Sequence, residues 1–226
     1  MSDTANFRLY YHPRACSLAP HIVLEELGVP YERQLVDLRT KQNRDSEYLA
    51  LNPTGAIPAL VIDGEILTET QAILTYLGDL NPELNLLPRP GDLLRYRAHE
   101  WMNFLSSSVH VYVRSLFRAA AYAGDDEAVQ EGVRKQGVIN LAKATAIVEQ
   151  RLEGRSFTLG DHFSVADTYL FVLYLWTTDE RIPSVPDRPN WDRVAERVWQ
   201  RPTVRKVIEI ENRDRDYGVP DHWRLP

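Results

Sequence analysis

The sequence is poor in sulfur. Its 226 residues hold one cysteine and two methionines. A single cysteine excludes an internal disulfide, and no four-ligand Cys/His spacing of the zinc-binding kind is present. Excess positive charge is also lacking. Twenty-six Lys and Arg face 32 Asp and Glu, for a net charge of −6. A nucleic-acid partner is therefore not expected, because neutralising phosphates needs a clustered basic surface. Short basic stretches such as Arg193 to Arg205 read as solvated helix faces. No run of about 18 apolar residues suggests a membrane span. The opening "MSDTANFRLYYH" has no long apolar segment, so no secretory signal is expected. No repeat of solenoid period occurs. What is left is a soluble, cytoplasmic, mildly acidic protein, with enough apolar side chain (44%) for a packed core.

The first 80 residues alternate between strand-like and helix-like pieces. "FRLYY" is short, aromatic and bounded by His-Pro, as a strand should be. Leu18, Ile22, Leu24 and Leu27 then recur at roughly helical spacing, and Gly28 is a natural stop. "YERQLVDL" reads as a second strand, and "NRDSEYLALNP" as a short helix ending before Pro53. "IPALVIDGEIL" is a hairpin turning at Asp63-Gly64, and "TETQAILTYLGDL" is helical again. The order β-α-β-α-β-β-α predicts a small mixed sheet with helices packed on it. "NPELNLLPRPGD" reads as a linker. Beyond it the pattern is helical: Leu93 to about Ala123, Glu127 to Leu152, Ser164 to about Thr178, Trp191 to Gln200, and Pro202 to about Glu211. The remainder, "RDRDYGVPDHWRLP", reads as a surface-packed tail. The expected partition is an α/β domain over 1–81, a linker over 82–91 and an all-α domain with its tail over 92–226.

Three local features carry chemistry. Cys16 stands where the first strand gives way to a helix. A helix start offers unpaired N–H groups and partial positive charge, which stabilise a thiolate. Arg14 and His12 would add to that field. A lone cysteine is also a common buried packing residue, so this stretch alone leaves both readings open. Ser17 is either a plain N-cap or a hydroxyl donor to the same sulfur. Second, Ile57-Pro58 stands directly before an apolar strand. A cis bond there would turn the Ile57 backbone towards an extended ligand, but most X-Pro bonds are trans and the local sequence by itself favours trans. Third, Glu69-Thr70 opens a helix. It reads as a binding site for a carboxylate and an ammonium group, and as part of a capping turn with Thr68 and Gln71, and the two are compatible. In the helical half, Ser164-x-x-Asp167 is a capping box and belongs to folding. His110, alone in an apolar helix, reads by itself as a core histidine.

Their order along the chain resembles the cytosolic glutathione transferase family. Cys-Ser lies at the first helix, Ile-Pro before the third strand, Glu-Thr at the next helix, and a Ser-x-x-Asp box in a helical half. "YYHPRACSLAPHIVLEELG" and "EWMNFLSSSVH" are similar to the bacterial beta class, which uses a cysteine at the first helix. The resemblance runs to about Glu211. It implies a thioredoxin-like α/β domain followed by an all-α domain, with glutathione as substrate. Cys16 would lie beside the glutathione sulfur and form a mixed disulfide with it, aided by Ser17 and His110. Ile57 with a cis Pro58 would pair with the cysteinyl backbone. Glu69 and Thr70 would hold the γ-glutamyl end, and Lys41 would approach the glycine carboxylate. Tyr11 and Asn103 belong to the same glutathione-binding set. Tyr112, Phe117 and Trp176 would wall the site of a small apolar electrophile, with Tyr10 a further aromatic candidate. A homodimer is implied. One departure is Val111, where the beta-class pattern has a basic residue. Conjugation and thiol–disulfide exchange both suit such a site. A glutathione-dependent isomerase or dehalogenase, or a non-catalytic interaction module of the same fold, are the alternatives.

Overall fold

The computed structural model describes residues 5–179, 182 and 185–214. The chain forms two compact units, Met1–Arg89 together with Val198–Pro226, and Pro90–Arg197. By its contacts the last helix therefore groups with the α/β half, not with the helices that precede it in sequence. The expected tail beyond Asp214 lies outside the described residues.

The first unit is built on β1 (Phe7–Tyr11), β2 (Tyr31–Leu35), β3 (Ala59–Ile62) and β4 (Glu65–Thr68), in the order β2-β1-β3-β4. β1 and β2 are parallel, while β3 and β4 are antiparallel to their neighbours. This is the mixed sheet that the β-α-β-α-β-β-α order predicts. Phe7, Leu9 and Tyr11 alternate inward, whereas Arg8 is exposed and Tyr10 half-buried. α1 (Leu18–Leu27) packs on α3 (Thr70–Asp79) and on α10 (Pro202–Asp214). Seven consecutive residues of α1, Leu18 to Leu24, are buried. α2 (Ser46–Leu51) is short. The turn at Asp63-Gly64 has both residues at positive φ (50° and 92°), as a two-residue hairpin requires.

β2 ends earlier than the pattern suggests, at Leu35, because Asp37 folds the chain over. Its carboxylate accepts from the N–H groups of Arg39 (2.7 Å) and Thr40 (3.4 Å). The expected cap of α3 by Thr68 does not form. Thr68 is the last residue of β4, and Glu69 precedes α3 with φ 69° and ψ 120°.

In the second unit the helix expected from Leu93 to Ala123 is divided. α4 (Leu93–Phe104) passes through a π-helical stretch, Leu105–Val109, into α5 (His110–Phe117), and a short α6 (Ala120–Ala123) follows. The Ser106 and Ser107 hydroxyls donate to the Asn103 carbonyl at 3.1 and 2.8 Å, competing with the regular backbone ladder. α7 (Glu127–Leu152) is the longest helix described, and none of the described helices is long and apolar enough to cross a membrane. α7 lies against α5 at Gly137. A Cβ there would run into Ser115 Oγ and come within 3.0 Å of Leu116 Cδ2. α9 (Pro189–Trp199) begins on α7, where the Glu149 carboxylate accepts from the N–H groups of Asn190 (3.0 Å) and Trp191 (2.7 Å).

α8 (Val165–Thr177) starts as the Ser-x-x-Asp spacing predicts. The fully buried Asp167 accepts from the Ser164 N–H (2.8 Å), the Ser164 hydroxyl (2.8 Å) and the Thr158 N–H (2.7 Å). Burial raises its pKa to about 6, and the donors oppose that rise. Replacing Asp167 with Ala leaves two backbone N–H groups without their acceptor. We expect a loss of roughly 2–4 kcal/mol of stability, read as a lowered urea midpoint at unchanged m-value.

Candidate active site

The sheet register gathers the candidate residues of the first unit. Tyr11 at the end of β1 pairs with Leu35 at the end of β2, so the chain leaves both strands at one edge of the sheet. Tyr10 is opposite Ala59, and Ala59 is opposite Thr68. The entry to β3, with Ile57-Pro58, and the exit from β4, with Glu69-Thr70, therefore stand at that same edge. Four connections meet there: the Cys16 turn, the loop with Lys41, the Ile57-Pro58 loop and the start of α3.

The Cys16 turn is closed by Ser17. Its hydroxyl accepts from the His12 N–H and donates to the His12 carbonyl, both at 3.1 Å. The Ala15 N–H bonds the same carbonyl at 3.0 Å. The single proton of Ser17 is thus spent on the backbone, and Ser17 holds the turn where donation to the Cys16 sulfur was expected. Nor does Ser17 cap the helix with its side chain. Cys16, 4% exposed and in no disulfide, lies one residue ahead of Ser17 at the approach to α1. The His12 ring ties the turn to the end of β2, with Nδ1 3.0 Å from the Val36 carbonyl.

The turn has a second anchor, on α10. Arg14 sits at φ 59°, and its N–H donates to Glu211 Oε2 at 2.9 Å. Glu211 Oε1 lies 2.8 Å from His21 Nδ1 of α1, and both residues are buried, at 1% and 0% exposure. His21 Nε2 is buried with no hydrogen-bond partner, so Nδ1 does the ring's hydrogen bonding. Around this centre α10 is fastened by paired side chains. Arg201 forks onto Glu26 with both contacts at 2.7 Å, Thr203 donates to the same carboxylate, and Lys206 reaches Glu25 at 2.6 Å. Tyr11 belongs to this packing: its hydroxyl donates to Asp214 at 2.5 Å and accepts from Arg33 at 3.1 Å. Burial first, then the Asp214 contact, pushes the phenol above its ordinary range. The hydroxyl of Tyr11 is committed to α10.

The Ile57-Pro58 bond is cis, the geometry the resemblance implies and the local sequence alone did not favour. Its loop is shaped from below. Tyr48 OH (2.6 Å) and Asn52 Nδ2 (2.9 Å) both donate to the Ala56 carbonyl, and Asn43 Nδ2 donates to Gly55 O at 2.7 Å. Gly55 has φ 63°, and a Cβ there would meet Asn43 O at 2.8 Å. Glu69 is exposed in a backbone conformation that few side chains tolerate, and Thr70 opens α3 as a buried residue. The free N–H groups of the α3 start are available to an anion. Lys41, also left-handed at φ 62°, is exposed.

In the second unit, His110 opens α5 directly after the π-helical stretch. The Trp176 ring meets it edge-on, with centroids 5.0 Å apart and planes at 83°. The Tyr169 hydroxyl is 3.4 Å from His110 Nδ1. Burial, helped by the Arg114 charge, lowers the imidazole pKa to about 4. Phe117 lies seven residues on, on the same face of α5 as His110. Tyr112, two residues on, lies near the opposite face and does not share a wall with His110. Asn103 is exposed, and Val111 is exposed at 37% where a basic residue was expected.

Residues 5–79 match the family model "Glutathione S-transferase, N-terminal domain". Glutathione S-transferase GstA of Escherichia coli O157:H7 is 33% identical over 206 residues, which is 90% of this chain and 98% of that protein. The chain belongs to the glutathione S-transferase family. A bacterial beta class transferase of Sphingomonas chungbukensis superposes with a TM-score of 0.79 at 35% identity, over 90% of this chain and 98% of that one. Maleylacetoacetate isomerase of Rhizobium meliloti is 32% identical over 184 residues, 80% of this chain and 81% of that protein. Several related transferase structures have been solved with glutathione bound. The chain is thus an enzyme of the glutathione transferase family.

Glu211, Asp214, Arg33 and Tyr169 were not legible as site residues. For Glu211 a signal exists: Val204, Val207, Ile208 and Glu211 form one buried i, i+3, i+4, i+7 stripe, with an acid where an apolar residue belongs. His21 breaks the buried stripe of α1 in the same way.

Two outcomes follow for this transferase. Glu211→Ala leaves the Arg14 N–H and the His21 ring unpaired in the interior, and should cost roughly 3–5 kcal/mol in denaturant unfolding. Glu211→Gln, which keeps an acceptor, should cost less. For His110, the folded pKa is depressed below the unfolded value. Its contribution to stability is present above pH ~6.5 and is lost as pH falls towards 4, by up to roughly 3 kcal/mol. In His110→Gln, the fall in unfolding midpoint over that pH window should be correspondingly shallower.

Proposed function

We propose that this transferase conjugates glutathione to small apolar electrophiles and also carries out thiol–disulfide exchange through Cys16. The observation that carries the reading is the sheet edge: the cysteine turn, the cis Ile57-Pro58 and the Glu69-Thr70 helix start stand together there. An extended γ-glutamyl-cysteinyl-glycine fits that edge. Its α-carboxylate meets the N–H groups at the start of α3, and its ammonium meets Glu69. The Ile57 backbone pairs with the cysteinyl amide, and Lys41 serves the glycine carboxylate. The peptide thiol then lies by Cys16.

A thiol of ordinary pKa, ~8.5, is only a few per cent ionised near neutrality. Lowering it by one unit is worth ~1.4 kcal/mol, within reach of a helix start and one hydrogen bond to the sulfur. For conjugation, the glutathione sulfur forms a bond to the electrophilic carbon and the leaving group departs with its electron pair. For exchange, the Cys16 thiolate attacks the glutathione sulfur of a mixed disulfide. The S–S bond breaks, the released thiolate takes up a proton, and Cys16 carries glutathione. A second glutathione thiolate then attacks that sulfur, leaving oxidised glutathione and the Cys16 thiolate. The working form is a cytoplasmic homodimer, and its role is detoxification.

The isomerase relative favours a second reading, in which glutathione adds to an unsaturated acid and leaves again. That reaction consumes no glutathione. It is told apart by following glutathione concentration alongside product.

Replacing Cys16 with Ala separates the two proposed activities. We expect the disulfide reductase activity to vanish, with aryl-halide conjugation retained at a reduced rate. If both activities persist at wild-type level, Cys16 is not the centre of the site.

A further inference from the structure

β1 presents its two faces to two different helices. The Tyr11 ring lies against His21 of α1, with centroids 5.7 Å apart. The Tyr10 ring lies against Tyr48 of α2, with centroids 5.9 Å apart and planes at 56°. Successive side chains of a strand alternate between faces, so α2 sits across the sheet from α1. α2 has only six residues, and between it and the strands β1 and β2 lies a cavity of about 290 Å³. We propose that this cavity is a binding site for a small organic ammonium ion, with its apolar stem on Tyr10, Tyr48 and Leu51 and its charge beside Asp45 and Glu47.

The lining is sorted by chemistry. Tyr48 is buried and Tyr10 and Leu51 are half-buried, which gives the cavity an apolar, largely aromatic wall. Three charged side chains complete it: Arg8, Asp45 and Glu47. Arg8 is already neutralised. It stands opposite Glu32 in the strand register, and its Nε and Nη2 both lie 2.7 Å from Glu32 Oε2. An anionic ligand would have to compete with that pair. Asp45 occupies the N-cap position of α2 without capping it through its side chain, and Glu47 follows in the first turn. Among the described residues, neither carboxylate has a hydrogen-bond or ion-pair partner. The charge left over in the lining is therefore negative, and the two rings add π faces that favour a cation. At roughly 30 Å³ for each water-sized group, the volume holds about ten non-hydrogen atoms. An exposed carboxylate by itself holds an ammonium weakly, so selectivity requires the stem to be buried at the same time. None of Cys16, Lys41, Ile57 and Glu69 lines this cavity, which separates it from the edge proposed for glutathione.

Phenethylamine is a probe of matching size, and phenethyl alcohol and phenylacetate are its uncharged and anionic counterparts. In calorimetric titration of the full chain, we expect the amine to bind roughly tenfold more tightly than the alcohol, and phenylacetate to bind more weakly than either. Asp45→Asn and Glu47→Gln should each weaken the amine by about two- to fivefold and leave the alcohol unaffected. Both positions are exposed, and the urea midpoint of each variant should stay close to that of the wild type. Amine affinity should also be unchanged at saturating glutathione. Equal affinity for amine and alcohol overturns the assignment, as does an amine affinity that survives both substitutions together. Displacement of the amine by glutathione places it at Glu69 and overturns the assignment as well.

Discussion

A carboxyl group buried between two helices and a turn sets the shape of the α/β unit. Glu211 is 1% exposed, and such a group is tolerated in the interior only when both oxygens are paired. One oxygen takes the backbone N–H of Arg14, and the other takes the ring of His21. Those two partners belong to the turn that carries Cys16 and to the helix that follows it. A group so costly to leave unpaired permits one relative placement of turn, α1 and α10. The pairs at Glu25, Glu26 and Asp214 lie nearer solvent and are weaker individually. They surround the centre and hold α10 along its length.

The site edge is irregular because a regular backbone would close it. A sheet satisfies its own N–H and C=O groups, so a peptide ligand can be read only where the ladder stops. Here the stops are a turn at Cys16, a cis proline before β3 and a left-handed Glu69 before α3. The first two are propped by polar side chains that never need to touch ligand. Ser17 braces the first, and Asn43, Tyr48 and Asn52 brace the second. The chain places its recognition in exposed backbone and its precision in the buried amides and hydroxyls behind it.

How much of this was legible in the sequence depends on how local each cause is. β1, α1, the Asp63-Gly64 hairpin and the Asp167 box are set by neighbours a few residues away, and the sequence displays them. The break at Leu105–Val109 was not visible, because its cause is a choice by Ser106 and Ser107 between solvent and the Asn103 carbonyl. Thr68 as a cap failed because the strand pairing of β4 claims it first. Ser17 and Tyr11 turn into the fold for a related reason. Each has a hydroxyl that the fold takes up: Ser17 on the His12 backbone, Tyr11 on the Asp214 and Arg33 side chains. Glu211 shows the limit most clearly. Its meaning lies in a partner 190 residues away, and only its intrusion on an apolar stripe hints at it.

That separation has a consequence for how the protein is made. The turn bearing Cys16 and the carboxylate that fixes it are joined across 197 residues of chain. A contact of such long range forms late, after most of the loop-closure entropy has been met. On the ribosome, the strands and first helix emerge well before α10 exists to cover them. Until then the turn that carries the thiol lacks its anchor on α10. The helix that completes the architecture is thus also the step at which the turn bearing the one cysteine of the sequence becomes fixed.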